Sequence, residues 1–111
     1  MDIDASRHGA VTVVRPRGAR LDALAALGFK DRMQAVIEEA GARVVLDLSE
    51  VTFLDSSGLG AVVAAQRFLR AGQVLELAAL TPAVARVFRL TRMDTVFAIH
   101  PGVDDALRVV L

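Results

Sequence analysis

Short extended stretches come first in the pattern of apolar and polar positions. Residues 11–15 are rich in β-branched side chains and stop at Pro16, which predicts a strand. Residues 3–7 predict a shorter strand, and residues 8–10 predict the turn between the two. Strands joined by so short a turn must be antiparallel. The chain is therefore predicted to open with an antiparallel β-hairpin.

Apolar residues at helical spacing follow this hairpin. Residues 23–40 predict a helix, because their large apolar side chains recur on one face while most charged ones lie on the other. Asp22 is predicted to be the N-cap of this helix, and Gly41 is predicted to be a left-handed C-cap. The apolar face contains Phe29, Met33, Val36, Ile37 and Ala40.

Strands and helices alternate through the rest of the chain. Residues 44–48 are nearly all apolar, which is typical of a strand buried on both faces, and residues 51–54 continue in extended form. Residues 57–71 predict a second helix closed by Gly72. The remaining predicted elements are a strand at 74–78, a helix at 82–91, an edge strand at 95–99 and a helix at 103–110. This order predicts an α/β fold with a mixed β-sheet, an N-terminal antiparallel hairpin and about four helices.

Composition and charge narrow the class of protein. The 111 residues, of which 54% are hydrophobic, suffice for one core, so we expect a single domain over residues 1–111. Thirteen basic and thirteen acidic residues balance, whereas nucleic-acid binders draw much of their affinity from excess positive charge. No cysteine is present, and no apolar run approaches the ~18 residues that span a bilayer. We expect a cytoplasmic monomer that uses no metal, cofactor, nucleic acid or membrane.

A pair of serines lies where an extended segment meets the second predicted helix. Asp55, Ser56, Ser57 and Gly58 form this junction. Helix N-termini carry free N–H groups and partial positive charge, so a phosphate on either serine is well placed. Gly58 and Gly60 lack side-chain bulk, which lets another protein approach the serines. Because Asp and Ser are also ordinary N-cap residues, the residues alone favour a simple cap over a phosphate site and do not choose between the serines.

The run from residue 44 to residue 60, VVLDLSEVTFLDSSGLG, closely resembles the STAS domain of bacterial anti-sigma factor antagonists. Residues 18–22, GARLD, are similar to the Gly-x-Leu-Asp element that precedes the family's first helix. Residues 80–90 and 96–99 resemble its third helix and last strand, so the resemblance covers essentially the whole chain and implies the STAS fold. One departure is Arg20, which stands where the family often has Glu. This difference affects charge complementarity with a partner.

This resemblance implies a phosphorylation switch at Ser57, the counterpart of the second serine of the family's motif. The family's kinase is an anti-sigma factor with a GHKL-type ATPase fold, and a PP2C-type phosphatase reverses the modification. Asp22 matches a family aspartate that lies near this serine and takes part in kinase contact, and Asp55 matches the aspartate of the family's motif. The unphosphorylated chain is then expected to bind the kinase, which releases its other client, and phosphate on Ser57 is expected to block binding. Such a chain is a regulator and not an enzyme.

Small residues on the second predicted helix suggest a contact strip. Gly60, Ala64 and Phe68 recur at helical spacing with Ala61 and Ala65 beside them, and the strip fits either partner docking or packing on a neighbouring helix. The predicted partner-binding residues are Asp22, Asp55, Ser56, Gly58, Gly60, Ala61, Ala64 and Phe68.

Other functions remain open from the sequence. A STAS domain can be the scaffold of a large stress-sensing assembly, or the cytoplasmic tail of an anion transporter, although this sequence contains no membrane segment. A small serine hydrolase is an alternative from a different class. Its nucleophile elbow needs Gly two residues before the serine, and Asp55 stands there before Ser57.

Overall fold

The computed structural model describes residues 1–109, which form seven strands and four helices. The strands are β1 Asp2–His8, β2 Val11–Arg17, β3 Arg20–Leu21, β4 Arg43–Asp47, β5 Phe53–Leu54, β6 Val74–Ala78 and β7 Ile99–His100. The helices are α1 Ala23–Glu39, α2 Ser56–Ala65, α3 Pro82–Leu90 and α4 Val103–Arg108.

Five of the strands form one mixed sheet in the order β1-β2-β4-β6-β7. β1 and β2 are antiparallel and make the predicted hairpin, while the neighbours from β2 to β7 run parallel. β3 and β5 pair separately as a small parallel sheet. The predicted fold class, a mixed α/β sheet with an N-terminal antiparallel hairpin and four helices, is therefore confirmed.

The core lies on both faces of the main sheet, and the central strand β4 is buried along its whole length. Val44 and Leu46 face one side, where they pack with apolar residues of α1, α2 and α3. Val45 faces the other side and packs with Ala106 of α4. On α1, Phe29 and the other predicted core residues are buried, apart from the partly buried Val36. The apolar periodicity therefore identified the larger core layer correctly.

The prediction for the end of α1 is wrong at Gly41. The cap residue is Ala40, in extended conformation with φ −78° and ψ 161°, and Gly41 does not have a positive φ. A Cβ at Gly41 would lie 2.9 Å from the carbonyl oxygen of Ala10. This glycine therefore permits close passage of the hairpin turn and does not reverse the helix. The carbonyl groups at the helix end are instead bound by the side chains of Arg70 and Gln73.

α2 is shorter than the predicted helix of residues 57–71. Its α-helical part ends at Ala65, a 3₁₀ turn covers Gln66–Phe68, and Leu69 is extended. The early end lets Arg70 donate to the carbonyl oxygens of Ile37, Glu38 and Ala40 at the end of α1. Those tertiary bonds are invisible to helix periodicity. Gly72, with φ +85°, belongs to the following turn and does not close the helix.

Smaller differences occur at three other elements. β2 continues through Pro16, which has no N–H group to donate to a neighbouring strand. The pairing with β4 ends at Val14, so the proline lies beyond the part of β2 that is paired on both sides. The predicted edge strand at 95–99 shrinks to β7, since Met93–Thr95 form a 3₁₀ turn and Phe97 turns inward to contact Phe88 edge-on. α4 begins as predicted and ends at Arg108, and Val110 lies outside the described residues.

A buried ion pair connects the centre of the sheet to α4. Arg43 donates to both carboxylate oxygens of Glu76 at 2.6 and 2.7 Å, and also to the carbonyl oxygen of Ala106. His100 lies 2.7 Å from the same carboxylate. Hydrogen bonding from Arg43, opposed by burial and assisted by His100, lowers the pKa of Glu76. The two charges therefore stay ionised inside the fold.

Candidate functional site

The two short strands bring the N-terminal ends of α1 and α2 together. Pairing of β3 with β5 sets Arg20 opposite Phe53 and Leu21 opposite Leu54. Each strand is followed at once by an aspartate that caps a helix, which is Asp22 for α1 and Asp55 for α2. Because the strands are parallel and in register, the two caps lie at the same edge.

Asp22 is held by three donors. Its Oδ1 accepts the backbone N–H groups of Leu24 at 3.1 Å and Ala25 at 3.2 Å, and its Oδ2 accepts the Nε–H of Arg20 at 3.2 Å. Desolvation raises the pKa of Asp22, but these hydrogen bonds, led by that from Ala25, outweigh it and leave the pKa below its usual value. The predicted capping role of Asp22 is confirmed.

Asp55 joins the first turns of both helices. Its Oδ1 accepts the N–H of Gly58 at 2.8 Å, which is the cap of α2, and its Oδ2 accepts the N–H of Ala23 in α1 at 3.3 Å. One carboxylate therefore satisfies a free donor on each of two neighbouring helices.

Gly58 serves the packing of α2 and not the approach of another protein. It is buried, and a Cβ at this position would overlap the carbonyl oxygen of Leu21 in β3. Gly60 is different, because it is exposed and a Cβ there would meet nothing within 4 Å. Of the two glycines, only Gly60 leaves open space at the surface.

Ser56 and Ser57 are the first two residues of α2, and both are exposed. In the sequence they stand between Asp55, whose carboxylate caps the helix, and the buried Gly58. The arrangement presents two hydroxyl groups to solvent at a helix N-terminus that already carries a carboxylate.

The family model of the STAS domain matches residues 2–106. The chain belongs to the STAS domain family. Among solved structures, an anti-sigma factor antagonist from Mycobacterium paratuberculosis is 32% identical, with a TM-score of 0.85 over 96% of this chain and 90% of that one.

Two more distant structures share the fold of this STAS domain. An anti-sigma-factor antagonist (STAS) domain protein from Planctomyces limnophilus is 23% identical, with a TM-score of 0.81 over 90% of each chain. The Bacillus cell fate determinant SpoIIAA in its phosphorylated form is 21% identical, with a TM-score of 0.69 over 96% of each chain.

The contact strip predicted on the STAS domain's second helix is only partly at the surface. Gly60 is exposed, Ala64 is half-buried, and Phe68 is half-buried against the core. Ala61 and Ala65 are buried, since this side of α2 packs against the core next to α1. Ala61 was predicted to bind a partner, but its side chain is only 3% exposed and belongs to the core.

Three exposed apolar side chains near the caps of the STAS domain were missed by the sequence reasoning. Leu24 is 95% exposed and Leu27 is 65% exposed on α1, and Phe53 on β5 is 40% exposed. The two leucines lie outside the apolar face of α1 that begins at Phe29. Large apolar residues off the core-facing side of a helix are the sequence signal that could have identified them.

Across residues 1–109, no helix is long and apolar enough to cross a membrane, and no three His, Asp or Glu side chains are grouped to hold a metal ion.

Proposed function

We propose that this STAS domain is an anti-sigma factor antagonist whose partner binding is switched by phosphate on Ser57. The observation that carries the proposal is an exposed serine in the first turn of α2, directly after the carboxylate of Asp55 that joins both helices. The 32%-identical Mycobacterium protein is an anti-sigma factor antagonist, and the Bacillus protein SpoIIAA has a phosphorylated form. Both support the proposal.

The partner in this proposal is a serine kinase of the GHKL type that is itself an anti-sigma factor. It binds the unphosphorylated domain and releases its other client. It then transfers phosphate to Ser57, and a PP2C-type phosphatase removes the phosphate and restores binding. The domain itself catalyses neither step and acts only as the regulated binding module.

Electrostatics give the direction of the switch. A phosphoserine adds about −1.5 to −2 charges near neutral pH. At Ser57 this charge joins the carboxylates of Asp55 and Asp22, which already use the N–H groups of Gly58, Leu24 and Ala25. The added group stays hydrated at the surface, so the fold itself does not change.

A partner docked on this surface has to remove water from the phosphate. Burying an ion without a matched counter-charge costs several kcal/mol, and each 1.4 kcal/mol weakens binding about tenfold. That penalty is large enough to abolish a micromolar complex. We propose that the partner contacts Asp22, Asp55, Ser56, Gly60, Ala64 and Phe68 around the switch, and we leave the buried Ala61 and Gly58 in structural roles.

The deciding experiment is phosphorylation in vitro. The domain is incubated with ATP and each purified GHKL-type serine kinase of its source organism, and the product is examined by intact mass and peptide mapping. We expect one added phosphate, on Ser57, in the wild type and in Ser56→Ala, and none in Ser57→Ala. Phosphate on Ser56, or no phosphate at all, would contradict the proposal.

Binding of the same kinase tests the direction of the switch. Ser57→Asp should bind much more weakly than the wild type, whereas Ser56→Asp, its matched control, should be affected less. Ala64→Arg places bulk on the proposed contact strip and should also weaken binding while the protein remains folded. Equal binding of Ser57→Asp and wild type would refute the blocking role of the charge.

A further inference from the structure

Two leucines project from the first turns of α1 beside the switch. Leu24 is 95% exposed and Leu27 is 65% exposed, and residues three apart lie on the same side of a helix. Single exposed apolar side chains are common on protein surfaces, but neighbouring ones beside a functional site mark contact surfaces. Phe53, 40% exposed on β5, adds an aromatic ring at the same edge of the molecule.

Arg20 is held in a fixed position between this ring and the cap of α1. Its guanidinium carbon lies 4.0 Å from the centroid of the Phe53 ring, and its Nε donates to Asp22 at 3.2 Å. The side chain is nevertheless 62% exposed. Within residues 1–109 its hydrogen bond uses only Nε, so the two terminal amino groups are left as donors. A side chain ordered before binding loses less entropy when a partner contacts it.

Backbone contacts place these residues next to Ser57. Gly58 packs directly against the carbonyl group of Leu21, so Ser57 and Arg20 are each one residue away from that contact. The N–H of Ala23 reaches the carboxylate that caps α2, and Leu24 is the next residue. The leucines, the ring and the arginine therefore border the helix end that carries the serine.

The charges at this edge are not equally available to a partner. The carboxylates of Asp22 and Asp55 accept backbone N–H groups of the two helices, and Asp22 also accepts from Arg20. Their charge is largely matched within the domain. The terminal amino groups of Arg20 remain, and a planar guanidinium with two such groups suits a carboxylate with two oxygens.

We propose that a docking patch formed by Arg20, Phe53, Leu24 and Leu27 selects the kinase that acts on Ser57. Apolar side chains of the kinase pack on the two leucines, and a carboxylate of the kinase binds Arg20. The inference rests on the proposed function, because its occupant is that kinase. The patch places kinase specificity in residues outside the serine motif, and it requires apolar side chains and a carboxylate on the partner's surface.

Steady-state phosphorylation kinetics test the patch, with the kinase that phosphorylates the wild-type chain as the probe. Arg20→Glu should raise KM at least tenfold and leave kcat unchanged, since a docking contact contributes equally to the ground and transition states. Arg108→Glu is the matched control, because Arg108 makes the same charge change on α4 at the opposite face of the sheet. Leu24→Ser should also raise KM, and its exposure means that folding is retained.

Salt dependence separates a charge contact from a steric one. Raising the ionic strength should increase KM for the wild type and for Arg108→Glu but not for Arg20→Glu, in which the attraction is already lost. Arg20→Lys keeps the charge without the planar fork and should fall between wild type and Arg20→Glu. Thermal unfolding of each variant verifies that it is folded.

The outcomes distinguish failure of the docking patch from failure of the phosphorylation switch. If the wild type is phosphorylated on Ser57 and Arg20→Glu has the KM of Arg108→Glu, the docking patch is refuted while the switch stands. If none of the kinases phosphorylates the wild type, both the switch and the patch are refuted. A KM effect confined to Arg20 and Leu24 supports both.

Discussion

Replacing Gly58 by alanine tests how the helix end with the serines is assembled. A Cβ at Gly58 would overlap the carbonyl oxygen of Leu21 and lie 2.8 Å from its carbonyl carbon and 2.9 Å from Cδ1 of Leu54. The nearest atoms belong to the backbone of β3, which cannot rotate aside as a side chain would. α2 must therefore move away from β3, and the cap by Asp55 moves with it.

Gly60 provides the matched substitution, because the same methyl group would meet nothing within 4 Å there. Alanine in place of glycine stabilises a helix by about 0.5–1 kcal/mol. Forcing an extra methyl group into a packed site costs about 1–3 kcal/mol. The helix gain is common to both variants, so Gly58→Ala should be less stable than Gly60→Ala by about 1–3 kcal/mol.

Urea unfolding followed by circular dichroism measures this difference, and an unchanged m-value verifies that both variants unfold as the wild type does. Gly58→Ala should have the lower midpoint and Gly60→Ala a midpoint at or above that of the wild type. Equal midpoints for the two variants would show that α2 does not press against β3 as described. The assembly of the site around that contact would then have to be abandoned.

Two further predictions concern the scaffold. Arg70→Ala removes the donors that bind three carbonyl groups at the end of α1, so it should lower the free energy of unfolding by about 1–2 kcal/mol. The control is Arg67→Ala at an exposed neighbouring position, which should change the free energy of unfolding by less than about 0.5 kcal/mol. Equal effects would contradict the capping role of Arg70. Glu76→Gln leaves Arg43 buried beside an uncharged partner and should cost about 3–5 kcal/mol at pH 7. The folded state lowers the pKa of Glu76, so the ionised carboxylate contributes its full stabilisation above the ordinary pKa of about 4.3. This stabilisation is lost as the pH falls through the lowered pKa. The unfolding free energies of the wild type and of Glu76→Gln should therefore converge in acid.

Local pattern was sufficient for most of the secondary structure and for the cap of α1. Asp22 was identifiable because a capping carboxylate binds N–H groups two or three residues ahead of it, which is an interaction within one short segment. At the second helix the sequence allowed either Asp or Ser as the cap, and the structure assigns this role to Asp55. The buried strand β4 and the apolar face of α1 follow equally from periodicity. These features depend on neighbours in the sequence, so the sequence alone determined them.

The features that the sequence could not supply all involve residues far apart in the chain. α2 ends early because Arg70 reaches the end of α1, and Gly41 and Gly58 are needed where a distant carbonyl group passes. The pairing of β3 with β5 brings Arg20 onto the ring of Phe53, although more than thirty residues separate them. Side-chain type predicts local conformation, but which groups meet across the fold is decided by the packing of whole elements. The sequence therefore determined the serine motif and the cap of α1, and only the tertiary structure decided which surface surrounds the serine.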